Sequence, residues 1–141
     1  MEHKSTDDLQ QELMDAMNLN DFLSDNQNKF NSDSPSTLLS RIFERQNISK
    51  AALAKRSGMS EIYLYQIFSG RRNPSRNRLI CLCYGLRANL NETQDLLKQC
   101  GLAELYPKNK RDAIIIFGLT HESDLYDIND KLFEEDEETL F

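Results

Sequence analysis

The sequence predicts an all-α protein, and three observations support that fold class. Apolar residues recur at intervals of three and four along most of the chain, as on the buried face of a helix. Serines that can cap a helix N-terminus precede four of these stretches, at Ser34, Ser49, Ser60 and Ser75. The chain has neither Trp nor Val, which argues against an all-β protein. We therefore expect five helices over residues 35–101 and about two more behind them.

The chain divides by composition into four segments. Residues 1–34 form an acidic, largely flexible segment, in which Leu9, Leu13 and Met17 indicate one short amphipathic helix before a polar linker. Residues 35–101 carry the five predicted core helices. Residues 102–133 form a helical extension that we expect to pack on this core, and residues 134–141 form an acidic tail.

Charge is distributed very unevenly along the 141 residues. The formal net charge is −6, which taken alone argues against a nucleic-acid partner. Counted by segment, however, residues 1–35 carry −6, residues 36–111 carry +9 and residues 112–141 carry −9. The basic segment between two acidic flanks is therefore compatible with a polyanionic partner that binds the middle of the chain.

Several other functional classes can be set aside. No apolar run approaches the roughly 20 residues that span a bilayer, and the polar N-terminus does not resemble a secretory signal, so we expect a cytoplasmic protein without a membrane partner. The three cysteines have no framework spacing, and two histidines stand far apart, so we expect neither a metal site nor a cofactor. No nucleophile motif or phosphate loop occurs, and we expect no enzyme.

Residues 48–75 have the spacing of two short helices that cross at a steep angle. The first can begin after Ser49 and end near Gly58, which reaches the left-handed conformation without strain. The second can begin after Ser60 and end near Gly70. Apolar residues lie where the two helices would bury them against each other, so the pattern predicts a helix-turn-helix that presents its second helix outward.

From about Leu38 to about Leu97 the chain resembles the Xre/Cro-type helix-turn-helix family of phage repressors and bacterial regulators. The residues that match the family pattern are Ser49, Leu53, Ala54, Gly58, Ser60, Leu64, Ile67, Gly70 and Pro74. The resemblance implies a sequence-specific DNA-binding transcription regulator, with double-stranded DNA as the partner and a homodimer as the usual assembly.

Carried over position by position, the resemblance implies two sets of DNA-contacting residues. The second helix would lie in the major groove and read base edges with Glu61, Ile62, Tyr65 and Gln66. Contacts to phosphate, which supply affinity but little sequence information, would come from Lys50, Ser60, Ser69, Arg71, Arg72 and Arg76.

A different class of function stays open beside this one. Phe68 stands where the family usually has Glu, and Ile62, Tyr63 and Tyr65 make the outward face unusually apolar. Such a face, or the acidic flanks, would suit a protein partner, so the alternative is a helix-turn-helix scaffold acting as a protein-interaction adaptor. A third hypothesis is that the acidic ends fold back on the basic centre and compete with DNA.

The C-terminal third gives weaker signals. The β-branched stretch over residues 112–118 is compatible with a strand, but we favour a helix because no second strand is available to pair with it. Gly118-Leu119-Thr120 repeats the pattern of Gly58-Met59-Ser60, which predicts a second helix pair with its turn at Gly118. Upstream, Asn91 and Gln94 predict a weak capping box. Leu140 and Phe141 are expected to be a loose end.

Overall fold

The computed structural model describes residues 6–15, 18–20 and 34–141, and every regular element in these ranges is an α-helix. The helices are α1 Thr6–Asp15, α2 Pro35–Glu44, α3 Lys50–Arg56, α4 Glu61–Phe68, α5 Arg76–Leu86, α6 Leu90–Gln99, α7 Lys110–Thr120 and α8 Leu125–Glu134. The chain separates into two compact units, Met1–Asp33 and Ser34–Phe141. The predicted fold class, five core helices (α2–α6) followed by two more, is confirmed.

The first unit contains the short amphipathic helix that Leu9 and Leu13 predict, as α1. Leu9 is half-buried within its unit, whereas Leu13 is exposed. Met17 and most of the predicted flexible linker lie outside the described residues.

All four predicted serine caps are present at the starts of α2, α3, α4 and α5. Each serine hydroxyl accepts a hydrogen bond from the backbone N–H three residues ahead, as at Ser49, which is 3.1 Å from the nitrogen of Ala52, and at Ser60, which is 3.1 Å from that of Tyr63. These bonds satisfy N–H groups that a helix leaves unpaired at its first turn. Gly58 (φ 65°) and Gly70 (φ 79°) take the left-handed conformation just after α3 and α4.

Helix α5 lies at the centre of the second unit. Every residue from Leu79 to Leu86 is buried. Helices α3 and α6 pack on it from within the core, while α8 packs on it from the C-terminal side. A helix that is apolar all round is typical of such a buried central position.

Helices α7 and α8 form a hairpin that packs against α5. The preference for a helix over residues 112–118 is confirmed, but the predicted turn at Gly118 is wrong. Gly118 lies inside α7, and the chain turns at Glu122 instead, which has φ 55°. The glycine is needed for close packing, because a Cβ atom there would lie 2.3 Å from the Tyr84 hydroxyl and 2.4 Å from Ile128.

The capping box of α6 lies two residues earlier than predicted. The side chain of Asn89 accepts from Glu92 N–H at 2.8 Å, and Glu92 accepts from Asn89 N–H at 3.0 Å. Gln94, expected in the box, instead donates to the carbonyl of Leu105 and accepts from its N–H, at 2.9 and 2.7 Å. The prediction of Asn91 and Gln94 as the capping box is therefore wrong by two residues.

The C-terminus is not a loose end. Leu140 is 3% exposed, and its N–H donates to Asn129 of α8 at 2.6 Å. Arg111 of α7 donates to the carbonyl of Glu138 at 2.7 Å. The last residues therefore close the core beside α5, α7 and α8, with Leu140 as the buried anchor.

Candidate nucleic-acid interface

Helix α4 has one buried and one exposed face. Leu64 and Ile67 are 0% and 2% exposed and anchor the helix in the core. Since a helix turns about 100° per residue, residues at positions 61, 62, 65 and 66 share the opposite side. There Ile62 is 73% and Tyr65 is 50% exposed, and Glu61 is exposed as well. Four candidate readers therefore share one side of α4, although Gln66 is half-buried at its edge.

The turn that follows α4 holds Gln66 in place. The backbone N–H groups of Arg71 and Arg72 both donate to the Gln66 carbonyl, at 3.0 and 3.2 Å. The Arg72 guanidinium also donates through Nε to the Gln66 side-chain oxygen at 2.9 Å. This bond leaves the amide NH2 of Gln66 as the donor that can face a partner. The hydroxyl of Ser69 donates to the same carbonyl of Gln66, at 3.1 Å.

Lys50 is held beside α4 by aromatic rings. Its ammonium nitrogen lies 5.0 Å from the ring centroid of Tyr65, 5.1 Å from that of Phe68 and 6.0 Å from that of Phe43. Phe43 and Phe68 also make an edge-to-face contact with their centroids 5.6 Å apart. Phe68 therefore joins α4 to α2, and the cation–π contacts fix a positive charge next to Tyr65.

Tyr63 arranges two more cations along the other edge of α4. The Arg72 guanidinium lies 5.1 Å and the Arg78 guanidinium 5.4 Å from the ring centroid of Tyr63. Tyr63 itself is half-buried, while both arginines are exposed. Because stacking on a ring restricts a guanidinium without neutralising it, both charges stay available to an anion.

The sequence of this region matches a known family. A model of the helix-turn-helix family matches residues 39–83, from α2 into α5. These residues form a helix-turn-helix domain of the Xre/Cro type. The family is one of DNA-binding transcription regulators. No curated protein and no solved structure gives a significant match to the chain.

Within the helix-turn-helix domain, Arg76 does not face the same way as its neighbours. It forms an ion pair with the buried Asp112 of α7 at 3.0 Å and donates to the carbonyls of Ala103 and Glu104. Its side chain is therefore used to hold α5 to the C-terminal extension, which does not fit the predicted phosphate contact. We leave Arg76 out of the interface.

Arg78 is the residue that the sequence analysis did not place in the site. Two residues apart on α5, Arg76 and Arg78 point in nearly opposite directions, so only one of them could lie beside α4. A hydrogen bond from Arg78 to the Gly58 carbonyl at 3.4 Å, together with the Tyr63 contact, directs it to the helix-turn-helix side. The alternation around α5 could have indicated that the two arginines separate, but not which one faces α4.

The cations around α4 are not neutralised by acidic side chains. Among the residues that the structure describes, no carboxylate lies within ion-pair distance of Lys50, Arg71, Arg72 or Arg78. Glu61 is the acidic residue on the exposed face itself. The helix-turn-helix domain therefore presents a partly apolar helix between Lys50 on one side and three arginines on the other, none of which pairs with a carboxylate of the described residues.

Two further observations concern metal binding and membrane crossing by the described residues. No group of three or more His, Cys, Asp or Glu side chains in these ranges is arranged to hold a metal ion. None of the described helices has the length and apolar content that crossing a bilayer requires.

Proposed function

We propose that the protein is a sequence-specific transcription regulator that inserts α4 into the major groove of double-stranded DNA. The observation that carries the proposal is the exposed face of α4, flanked by Lys50 on one side and by Arg71, Arg72 and Arg78 on the other. An α-helix fits the major groove, and the flanking cations would then meet the phosphates on either side.

Each side chain on this face has a role that its chemistry supports. The amide of Gln66 suits the donor and acceptor edge of adenine, and Glu61 can accept from a cytosine amino group. Ile62 and Tyr65 offer apolar contact to a thymine methyl. The phosphate contacts would come from residues at the two ends of α4 and beside it, namely Lys50, Ser60, Ser69, Arg71, Arg72 and Arg78.

The roles can be separated by a matched pair of substitutions. Gln66→Ala removes a base reader, so it should change the preference at one base pair by about 1–3 kcal/mol. Arg71→Ala removes an exposed side-chain cation but keeps the backbone N–H that donates to Gln66. It should therefore weaken binding to all sequences and reduce the salt slope by about one. Both are measured by fluorescence anisotropy on a preferred site and its single-base variants. Equal scaling of every affinity by Gln66→Ala would contradict our register for α4.

A protein-interaction adaptor is the second candidate, and the exposure of Ile62 (73%) and Tyr65 (50%) favours it. Exposed apolar side chains at the centre of a patch are typical of protein interfaces. The two functions differ in their response to salt. A regulator should lose DNA affinity steeply between about 50 and 200 mM salt, whereas an adaptor should bind no DNA at low salt and lose its protein partner on Ile62→Ala.

We also propose a homodimer as the DNA-binding form. One recognition helix reads only a few base pairs, and two-fold operators multiply specificity. Sedimentation of the chain with and without a selected DNA site tests this: two chains on a palindromic site support the dimer, and one chain contradicts it.

A further inference from the structure

A cavity of about 330 Å³ lies between the helix-turn-helix core and the C-terminal hairpin. Its floor is formed by Cys83 and Tyr84 of α5 and by Leu119 of α7. This volume falls at the lower end of the range of small-molecule sites, roughly 300–1,000 Å³. The cavity is separate from the exposed face of α4, and no part of the proposed DNA contact uses it.

One wall of the cavity is basic. Arg56, at the end of α3, and Arg87, after α5, both line it. Arg56 is half-buried and donates to the Gly85 carbonyl at 2.6 Å; burial and the nearby charge of Arg87 lower the pKa of Arg56. Neither guanidinium forms an ion pair with a carboxylate of the described residues. An anion in the cavity would therefore relieve the repulsion between them.

A second part of the wall, contributed by the turn between α7 and α8, is acidic. Glu122 and Asp124 line the cavity there. Asp124 caps α8 by accepting from the N–H of Asp127 at 2.9 Å, and Glu122 is exposed. Since these carboxylates form no ion pair with Arg56 or Arg87, the lining carries charged groups of both signs beside apolar residues.

One charged residue on each part of the wall lies at the C-terminal end of a helix. Arg87 (φ 53°) and Glu122 (φ 55°) both hold the left-handed conformation, which glycine adopts with less strain. The chain thus carries a charged side chain on each side of the cavity at a position where glycine would be easier to accommodate. In both places the left-handed residue ends a helix, and Asp136 does the same after α8.

We propose that this cavity binds a free α-amino acid with an apolar side chain. The carboxylate would lie against Arg56 and Arg87, and the ammonium group against Glu122 and Asp124. The side chain would cover Cys83, Tyr84 and Leu119. A zwitterion satisfies both walls at once, whereas a simple anion or cation would leave one wall facing a like charge.

The test uses the full chain and three named probes, L-leucine, L-phenylalanine and L-tryptophan. At least one should raise the Tm progressively, by an amount that grows with the logarithm of its concentration above the Kd, because a ligand that binds only the folded state stabilises it by mass action. Titration calorimetry then compares that amino acid with its amide and with its deaminated acid. Each derivative lacks one charge and should bind at least about tenfold more weakly.

Glycine substitutions provide variants that should still fold. Arg87→Gly and Glu122→Gly each remove one wall charge and relieve backbone strain, so both should raise the Kd by about tenfold or more. Asp136→Gly is the matched control, since Asp136 has φ 58° but does not line the cavity, and its Kd should be unchanged. No Tm rise with any probe, binding of the amide and the deaminated acid as tight as that of the amino acid, or unchanged affinity in both wall variants would overturn the proposal. These readouts do not involve DNA, so they are independent of the proposed function.

Discussion

Replacing Gly118 with Ala tests whether α5, α7 and α8 pack as closely as the structure indicates. The substitution should destabilise the protein, although Ala is the better helix former by about 1 kcal/mol. The added Cβ atom would lie 2.3 Å from the Tyr84 hydroxyl and 2.4 and 2.5 Å from two carbon atoms of Ile128. Real Cβ atoms do not approach other atoms this closely, so Tyr84, Ile128 or the hairpin must move.

The magnitude follows from three contributions. Overpacking of this kind costs about 1–3 kcal/mol. Displacement of Tyr84 also strains the hydrogen bond that its hydroxyl donates to the Ile115 carbonyl at 2.6 Å, and a buried hydroxyl left unpaired costs a further 1–3 kcal/mol or so. After the gain of about 1 kcal/mol in helix propensity, we expect a net loss of roughly 1–5 kcal/mol, with a central value of about 3 kcal/mol and a Tm lower by roughly 10 °C.

Urea denaturation followed by circular dichroism measures this loss. A double-mutant cycle with Tyr84→Phe supplies the control, because Phe lacks the oxygen nearest to the new methyl group. The cost of Gly118→Ala should be smaller in the Tyr84→Phe background, with a coupling of about 0.5–1 kcal/mol. If Gly118→Ala were as stable as the wild type or more stable, the close contact between α5 and the hairpin would be refuted.

Three further predictions concern the core. Leu140→Ala should lower the free energy of unfolding in urea by about 2–5 kcal/mol, whereas Phe133→Ala, at a side chain 76% exposed, should change it by less than about 0.5 kcal/mol; equal effects would contradict the docked C-terminus. Asp112→Asn should cost about 2 kcal/mol in thermal unfolding, because Arg76 loses its ion-pair partner at a site that is mostly buried; an unchanged Tm would contradict the structural role of Arg76. Burial raises the pKa of the Cys81 thiol from 9.0 to about 11, so the unfolded chain releases this proton at a lower pH than the folded protein does. The free energy of unfolding should therefore fall as pH rises from 9 towards 11, and Cys81→Ala should reduce this pH dependence.

The boundaries of α3 and α4 could be predicted because local chemistry determines them. Ser49 and Ser60 cap helices by reaching their own backbone, and Gly58 ends one by its freedom at positive φ, so neighbouring residues suffice. Gly118 was misread because a glycine required for close packing looks the same in sequence as one required for a turn. Only the positions of Tyr84 and Ile128, which are distant in sequence, distinguish the two uses.

In the candidate site, too, features set by local sequence could be predicted, whereas features set by packing between distant residues could not. The exposed face of α4 follows from helical periodicity, and so does the exposure of Ile62. By contrast, the pairing of Arg76 with Asp112 depends on how α7 packs, which the residues around Arg76 do not indicate. Arg72, which the sequence predicts only as a phosphate contact, also donates a hydrogen bond to Gln66. Arg72→Ala should therefore alter base preference as well as overall affinity.

Selection of bound DNA from a random pool tests the central proposal most directly, with the wild type and Gln66→Ala run in parallel. We expect the wild type to enrich a defined motif, and Gln66→Ala to change that motif at one or two positions in each half-site. Enrichment of no motif by the wild type, or of an identical motif by Gln66→Ala, would contradict the assignment of α4 as the helix that reads DNA.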